Sequence, residues 1–546
     1  MCKKQIRKLL ADTLEKSFAL KRIDFEVTEE ERFGDYSTNV ALILARLLTS
    51  ERSDGGQAKQ VGENPKEIAL KIIDSIKTSD IIESAEVAGP GFINFKISIP
   101  YLNTKISEII KAGEKYGSSD LSKDLKVNIE FISANPTGPL TVGNSRGGVI
   151  GDVLSNVLSK VGYDVTREYY FNDAGGQIDV LGHSILKDEM AEYKGAYIDK
   201  LHGELGEGDY REIGKRAAQI IISEIKKTTK KMGINFDVWF AEGKDLRDKG
   251  KVDEIISWLK GKDLVYEKDG AWWFRSTSFG DDKDRVVLRS NGEPTYFALD
   301  CAYHQNKFVE RKFDRVINIW GADHHGDLAR LKGFVKALGF EDKFAIIIHQ
   351  FVRVIKDGQE VRMSKRAGNY ITVDELLDEV GKDVYRFFML AYSPDSHLTF
   401  DLGLAKEQSE KNPVYYVQYA YARINSILEK SEIRNQKPAS PAGGSETNPN
   451  DQMIKGLKKP EEIKLIKQLI QLPELVEEIV GDYQVQKLPL YAIELARVFH
   501  HFYEKCPVIQ AENPEVSAAR IQLLKATQIV LKNTLDLIGV SAPEKM

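Results

Sequence analysis

Cysteine is scarce in this chain of 546 residues: Cys2, Cys301 and Cys506 are scattered, and no Cys-x-x-Cys spacing occurs. That excludes a cysteine-built zinc site, a paired redox motif and a disulfide framework, and leaves buried or incidental thiols. Long apolar runs are also missing, and none approaches the length that spans a bilayer. Met1-Cys2-Lys3-Lys4-Gln5 leads into charged, helix-like sequence with no apolar signal core. These absences predict a cytoplasmic protein without a membrane segment. A strong charge of either sign is lacking too, because the formal net charge is −5. Contact with a polyanion must then use local basic surfaces such as Lys3, Lys4, Arg7 and Lys8, or Lys226, Lys227, Lys230 and Lys231. Such runs also read as solvated helix faces. There is no internal repeat and no heptad array.

Hydrophobic residues at 42% beside charged residues at 29% describe a globular chain, long enough for two to four domains with their own cores. Residues 1–110 read as a small α+β domain. Helical spacing covers Ile6 to Phe18 and Ser37 to Leu48, Ile93 to Ile97 alternates as a strand, and Gly89-Pro90-Gly91 turns before it. Ser53 to Gln57 reads as a solvent loop. Residues 126–405 read as an α/β domain opening with a strand at Val127 to Phe131, a helix at Arg146 to Val161 and a second strand at Asp164 to Tyr170. A mainly helical insertion is expected around 175–273, after which Val286 to Leu288 and Arg315 to Trp320 resume the sheet, with a further β-prone run at 349–355. Residues 406–546 read as a helical bundle, with helices at Val414 to Leu428, Pro460 to Glu478, Leu490 to Tyr503 and Ser517 to Leu537. Gln436 to Gln452, dense in Pro, Gly, Ser and Asn, reads as a flexible connection.

Chemistry concentrates in the middle region. After the first strand, Asn135-Pro136-Thr137-Gly138-Pro139 forces a compact turn, and Thr141-Val142-Gly143-Asn144 leads into the helix. Gly143 permits close approach to backbone, Gly147 and Gly148 are placed in the first helical turn, where small residues let a nucleotide lie over the helix start, orphan amides and the helix dipole favour phosphate, and Thr141 and Asn144 add side-chain donors. The same sequence also suits a plain strand-to-helix turn. Val361-Arg362-Met363-Ser364-Lys365-Arg366 lies between Gly358 and Gly368. Lys365 can follow a leaving pyrophosphate, assisted by Arg362 and Arg366; a simple surface loop is the competing reading. At the strand end, Glu130 can hold an α-ammonium group and Asn135 can address the substrate's carboxylate or amine. Pro294-Thr295 starts a helix on which Tyr296 and Asp300 stand four apart. A ring over the plane and a carboxylate on the fork suit a guanidinium better than an ammonium, which favours arginine as the small substrate. Bonds from Tyr296 and Asp300 to neighbouring loops are the alternative. Asp323-His324-His325 lacks metal-ligand spacing, so His324 or His325 is expected to contact adenine or substrate. Asn172, Asp173 and Gln177 can line the same pocket.

Taken in order, these blocks resemble the arginyl-tRNA synthetases, members of the class I aminoacyl-tRNA synthetases. The resemblance rests on Glu130 to Pro139, Tyr169 to Gln177, Phe274 to Thr277, Gly280 to Asp284, Tyr296 to His304, Trp320 to Gly326, Asn412 to Tyr419 and the ending Leu537 to Met546. Gly34 to Asn39 and Gly89 to Asn94 resemble the family's N-terminal domain. The resemblance implies a Rossmann-like parallel-sheet catalytic domain, an N-terminal α+β domain that binds the tRNA elbow, and an all-α C-terminal bundle that binds the anticodon. It implies ATP-dependent ligation of L-arginine to tRNA(Arg) through arginyl-adenylate, releasing pyrophosphate and AMP. ATP would enter as a Mg2+ complex, with no tightly bound protein metal, and the enzyme would be a monomer. Family arginine contacts map onto Glu130, Asn135, Tyr296, Asp300 and His324. ATP contacts map onto Thr141, Gly143, Asn144, Gly147, Met363, Ser364 and Lys365, of which Thr141, Asn144 and Lys365 would be catalytic.

Two departures stand out. The His-Ile-Gly-His motif of the class appears as Thr141-Val142-Gly143-Asn144, without either histidine, and Lys-Met-Ser-Lys-Ser appears as Arg362 to Arg366 with its central lysine kept. Thr and Asn can imitate the donor role of the histidines without a full positive charge. The missing histidines also motivate a second reading, a catalytically impaired relative that binds tRNA or regulates.

Overall fold

The computed structural model describes residues 2–20, 23–29, 34–50, 64–76, 79–361, 370–435, 456–509 and 513–546. The loop at Ser53 to Gln57, the loop carrying Met363, Ser364 and Lys365, and the whole connection at 436–452, with the residues after it to 455, lie outside the described residues.

The N-terminal part is an antiparallel four-stranded sheet in the order Val27–Glu29, Tyr36–Thr38, Phe92–Ile97, Ile82–Ala88. Helices Cys2–Phe18, Val40–Ser50 and Pro65–Ile76 bury Ile6, Leu10, Leu44, Ile68 and Ile72 against Ile93, Phe95 and Ile97. Ser37 is not helical as its spacing suggested. Tyr36 to Thr38 pair with Phe95 to Ile93, and the Thr38 hydroxyl donates to Glu26 O at 2.6 Å, so ladder bonds win over local helical pattern and the helix begins only at Val40.

The central sheet has five parallel strands, in the order Phe344–His349, Arg315–Gly321, Lys126–Glu130, Asp164–Phe171, Val238–Ala241. In chain order this is 5-4-1-2-3, so the winding reverses between Lys126–Glu130 and Arg315–Gly321. Ligands collect beyond the carboxyl ends of strands at such a reversal. Two expectations change here. Val238–Ala241 lies inside the stretch read as a helical insertion yet is the edge strand of this sheet, where Tyr169 and Trp239 stack with centroids 4.5 Å apart. Arg285–Leu288 does not resume the sheet. It joins Ala271–Phe274 and Val265–Lys268 in a separate antiparallel layer, because Phe274, Leu246, Leu259 and Phe334 provide a second apolar core for it.

The C-terminal part is helical: Pro413–Asn435, Pro460–Ile470, Leu472–Asp482, Lys487–Lys505 and Pro514–Ile538. A single helix from Pro460 to Glu478 is replaced by two, since Pro473 sits in the first turn of the second and cannot donate to a continuing helix. Asn533 Nδ2 donates to Gly113 O (3.0 Å) and Tyr116 O (3.1 Å), seating the last helix on the segment that precedes the central sheet. Among the described residues no helix is long and apolar enough to cross a membrane.

Candidate active site

Immediately after Glu130 the backbone enters left-handed space twice in succession, at Ile132 (φ 67°) and Ser133 (φ 43°). For a β-branched residue this is costly, on the order of 1–3 kcal/mol, and it persists only where surrounding bonds fix it. Here they do. Ser133 Oγ donates to Glu130 Oε1 (3.0 Å) and accepts from Tyr170 N (3.1 Å). Tyr169 Oη donates to Ala134 O, and Tyr197 Oη donates to Thr137 O, both at 2.8 Å. Asn135 accepts from Asn172 N at 3.2 Å and donates to Gln177 Oε1 at 2.7 Å. Asn172 in turn accepts from Ala174 N, and Asp173 accepts from Gly243 N at 2.5 Å. Asn135, Asn172 and Gln177 thus come together, while Asp173 serves the Val238–Ala241 edge.

The helix that follows runs Val142–Lys160, with Thr141 as its N-cap residue. Thr141 Oγ1 does not cap it; the hydroxyl donates to Asn144 Oδ1 at 2.8 Å, which leaves the Asn144 amide group as the outward donor of the pair. Thr141 also bridges Thr372, with Val373 N donating to Leu140 O at 3.0 Å. The turn expected to hold phosphate is therefore tied to the chain just after the lysine-bearing segment. Gly147 lies in the second helical turn, not the first, and a Cβ there would stand 2.8 Å from His349 Nε2. The space opened by Gly147 is taken by that imidazole. Its pKa is lowered to about 4, chiefly by burial, so His349 is neutral at pH 7.

Glu130 is buried, and Lys307 Nζ donates to its Oε2 at 2.7 Å. Lys307, with no exposed side-chain surface, also donates to Asn318 Oδ1 (3.2 Å) and lies 4.1 Å from the centre of the Tyr303 ring. Glu168, one strand over, accepts from Tyr303 Oη (2.5 Å) and from Arg311. Glu242 accepts from Tyr170 Oη at 2.6 Å and from Arg247 through two nitrogens. A row of carboxylates thus lies under the strand ends, each matched by a cation so that its burial is tolerated. Lys307, Glu168, Arg311 and Glu242 escaped the reading of the sequence because no local pattern joins partners 72 to 177 residues apart; Arg247 stands only five residues from Glu242, a spacing too common among charged residues to single out a buried pair.

Over this layer stands the helix Tyr296–Gln305, capped by Thr295, whose hydroxyl accepts from Ala298 N. Tyr296 is 58% exposed, and the Asp300 side chain is 32% exposed. The Asp300 carboxylate accepts no hydrogen bond from a described residue; only its backbone oxygen is used, by His304. Burial pushes the carboxyl up to about 7, Arg330 opposes that, and Glu130, Asp327 and Glu242 add to it. His324 follows the Arg315–Gly321 strand. Its imidazole is raised in pKa by its 3.4 Å contact with Asp327, with Asp323 and Asp300 contributing. Of the residues read as an arginine pocket, Glu130 and His324 come within electrostatic reach of Asp300, Tyr296 stands one turn before Asp300 on the same helix, and Asn135 is turned instead to Asn172 and Gln177 beyond the neighbouring strand. Among the described residues no three His, Cys, Asp or Glu side chains are grouped to hold a metal ion.

Three family models match the chain: the arginyl tRNA synthetase N terminal domain over residues 3–97, the class I (R) tRNA synthetase catalytic domain over 105–202 and 188–389, and the DALR anticodon binding domain over 417–546. The chain belongs to the arginyl-tRNA synthetase family. Among curated relatives, the arginine–tRNA ligase of Moorella thermoacetica is 42% identical, covering 95% of this chain and 93% of its own. That of Geobacter sp. strain M21 is 41% identical over 100% of both chains. In fold, the arginyl-tRNA synthetase of Thermus thermophilus superposes with a TM-score of 0.78 over 100% of both chains at 21% identity. The Plasmodium falciparum enzyme gives 0.76 at 20% identity, over 100% of this chain and 99% of its own. A class I synthetase domain uses ATP.

Proposed function

We propose that the chain joins L-arginine to tRNA(Arg) in two steps at the sheet reversal. In the first, an oxygen of the arginine carboxylate bonds to the α-phosphorus of ATP and the α–β bridging bond breaks, giving arginyl-adenylate and pyrophosphate. In the second, the 2′-hydroxyl of the terminal adenosine attacks the activated carbonyl; the ester forms, the anhydride bond to phosphate breaks, and AMP leaves. Mg2+ would arrive with ATP and balance charge on its phosphates. The enzyme works as a cytoplasmic monomer in this reading.

The observation that carries it is the Asp300 carboxylate, with no hydrogen-bond donor of its own among the described residues, set in acidic surroundings below Tyr296. Such a group is costly to leave unpaired and is matched by a planar cation with fixed donors. In this arrangement Tyr296 covers the guanidinium plane and Asp300 takes its fork. Glu130, partly neutralised by Lys307, and Asn135 address the α-ammonium and carboxylate end, and His324 borders the pocket. Thr141, Gly143 and Asn144 receive phosphate at the helix start, Gly147 lets that helix close on His349, and Met363, Ser364 and Lys365 serve the leaving pyrophosphate, the lysine with its positive charge.

For the tRNA, the N-terminal sheet would meet the elbow and the C-terminal helices the anticodon arm. Supporting the latter, Tyr415 and Tyr419 stack 7° from parallel, Tyr419 stacks on His500, and the Arg423 guanidinium lies 4.4 Å from the Tyr503 ring centre. Aromatic and guanidinium planes of this kind receive unstacked bases. The test is charging of matched tRNA with arginine and ATP, with Lys365→Ala and Asp300→Ala as controls. Charging with arginine that is lost in both variants supports the reading. Retained tRNA binding with no charging above the Lys365→Ala level would instead establish the impaired relative.

A further inference from the structure

Arg330 stands in the first turn of the helix Leu328–Ala337, beside Asp300. Its Nη2 forms an ion pair with Asp327 Oδ1 at 3.0 Å and lies 3.9 Å from Asp300 Oδ2, with the guanidinium 5.6 Å from the centre of the Phe297 ring. Its Nε is buried and has no hydrogen-bond partner among the described residues. The two carboxylates are therefore served unequally. Asp327 takes the short contact, whereas 3.9 Å is too long for a hydrogen bond and leaves only Coulomb attraction to Asp300.

This geometry bears on the charge of Asp300. Facing it are Glu130 from the first strand, Tyr170 from the second, Glu242 from the end of the edge strand, and His324, Asp327 and Arg330 from the segment after Arg315–Gly321. Glu130 and Glu242 are paired with Lys307 and Arg247, and Asp327 and His324 pair with each other. Arg330 is the guanidinium that opposes protonation of Asp300. A carboxyl kept neutral would offer a hydroxyl and one weak acceptor, a poor match to a guanidinium fork.

We propose that Arg330 is a positioning residue of the arginine pocket: paired with Asp327, it favours the charged form of Asp300 while leaving both carboxylate oxygens free for the substrate's guanidinium. Resting on the reading of Asp300 as the guanidinium partner, it adds the residue that keeps that partner competent.

The test uses full-length protein with matched tRNA and measures arginine KM, ATP KM and kcat between about pH 6 and 9, spanning the Asp300 titration. Arg330→Gln is expected to raise arginine KM about tenfold near pH 7, with ATP KM and saturated kcat within about twofold. The deficit shrinks as pH rises, because alkali ionises Asp300 without help, and Arg330→Lys restores part of it. An unchanged arginine KM, a lower one, or a deficit that stays constant with pH overturns the proposal; the last outcome marks a merely structural role. If Arg330→Gln does not fold, Asp327→Asn releases the guanidinium while keeping its charge; it is expected to raise arginine KM about threefold near pH 7, and no rise overturns the proposal equally. Asp300→Asn separates the two ideas. If it leaves arginine KM unchanged, the pocket itself is misassigned; if it abolishes arginine use while Arg330→Gln has no effect, only the role of Arg330 falls.

Discussion

Arg386 Nη2 donates to Asp152 Oδ2 at 2.6 Å, deep under the helix that begins at Thr141. The guanidinium is fully buried, and its other nitrogens donate to Ile538 O (2.8 Å) and Met232 O (3.1 Å). One side chain thus joins the helix Val142–Lys160, the end of the long insertion helix Tyr210–Lys231 and the final helix Pro514–Ile538. A buried cation with several fixed acceptors suits arginine and not lysine, whose three donors fan from one point. Asp152→Ala is expected to cost about 3–5 kcal/mol, because it strands that charge in a dry site. Urea unfolding midpoints of the full chain measure it, and a cost below about 1 kcal/mol would show that the pair is not electrostatically coupled.

Gly539 caps the last helix at φ 73°, and a Cβ there would lie 2.4 Å from Arg386 Nη2. Gly539→Ala therefore combines an unfavourable backbone with a steric clash, and its cost is expected to exceed the roughly 1 kcal/mol of a left-handed substitution alone. Combined with Arg386→Ala the costs should fall short of additive, since the clash disappears with the guanidinium. Strict additivity in thermal or urea unfolding refutes the contact.

Gly147→Ala pushes a methyl toward His349. A side chain can yield where backbone cannot, so the expected loss is about 1–3 kcal/mol, and His349→Ala in the same chain should recover part of it. Equal stabilities of the single and double variants would show that the imidazole does not fill this space.

His304 is held neutral with a pKa of about 3 and His349 with about 4, in both cases mainly by burial. Unfolded histidine protonates below about pH 6.5, so the unfolded chain binds more protons in acid. Stability is complete above that value and is lost as pH falls toward 3. At about pH 5 each histidine accounts for up to about 2 kcal/mol of this loss. Unfolding midpoints against pH should show a shallower acid limb for His304→Gln than for the parent chain, and parallel limbs refute the assignment.

Asp300 runs the other way. Its carboxyl is raised to about 7, so between about pH 4 and 7 the folded chain holds a proton that the unfolded chain has released, and stability falls as pH rises through that window. Asp300→Asn should therefore stabilise the free protein at pH 8, on the order of 1 kcal/mol after allowance for its partial exposure, while removing arginine use. No gain in Tm at pH 8 would contradict the raised value.

The strand, turn and helix from Lys126 to Lys160 could be read from the sequence because apolar alternation, a Pro-Gly turn and helical spacing agree there. The candidate arginine residues were legible for the same reason, since Tyr296 and Asp300 are four apart on one helix. What stayed hidden were choices made by distant partners. Tyr36 to Thr38 pair in a sheet because of Phe95, Arg285–Leu288 goes to a different sheet because of Phe274 and Phe334, and Arg146 is buried by the carbonyls of Gln350, Tyr392, Ser393, Pro394 and Ser396. In a sequence such an arginine reads as one more surface cation.

The bond from Arg386 to Ile538 also imposes an order on synthesis. All five central strands and both other acceptors of the guanidinium leave the ribosome before the last acceptor exists. Until the terminal helix docks, the interior of the nucleotide-binding half carries an arginine without its full complement of carbonyls, so that half cannot reach its final stability while the chain is still growing.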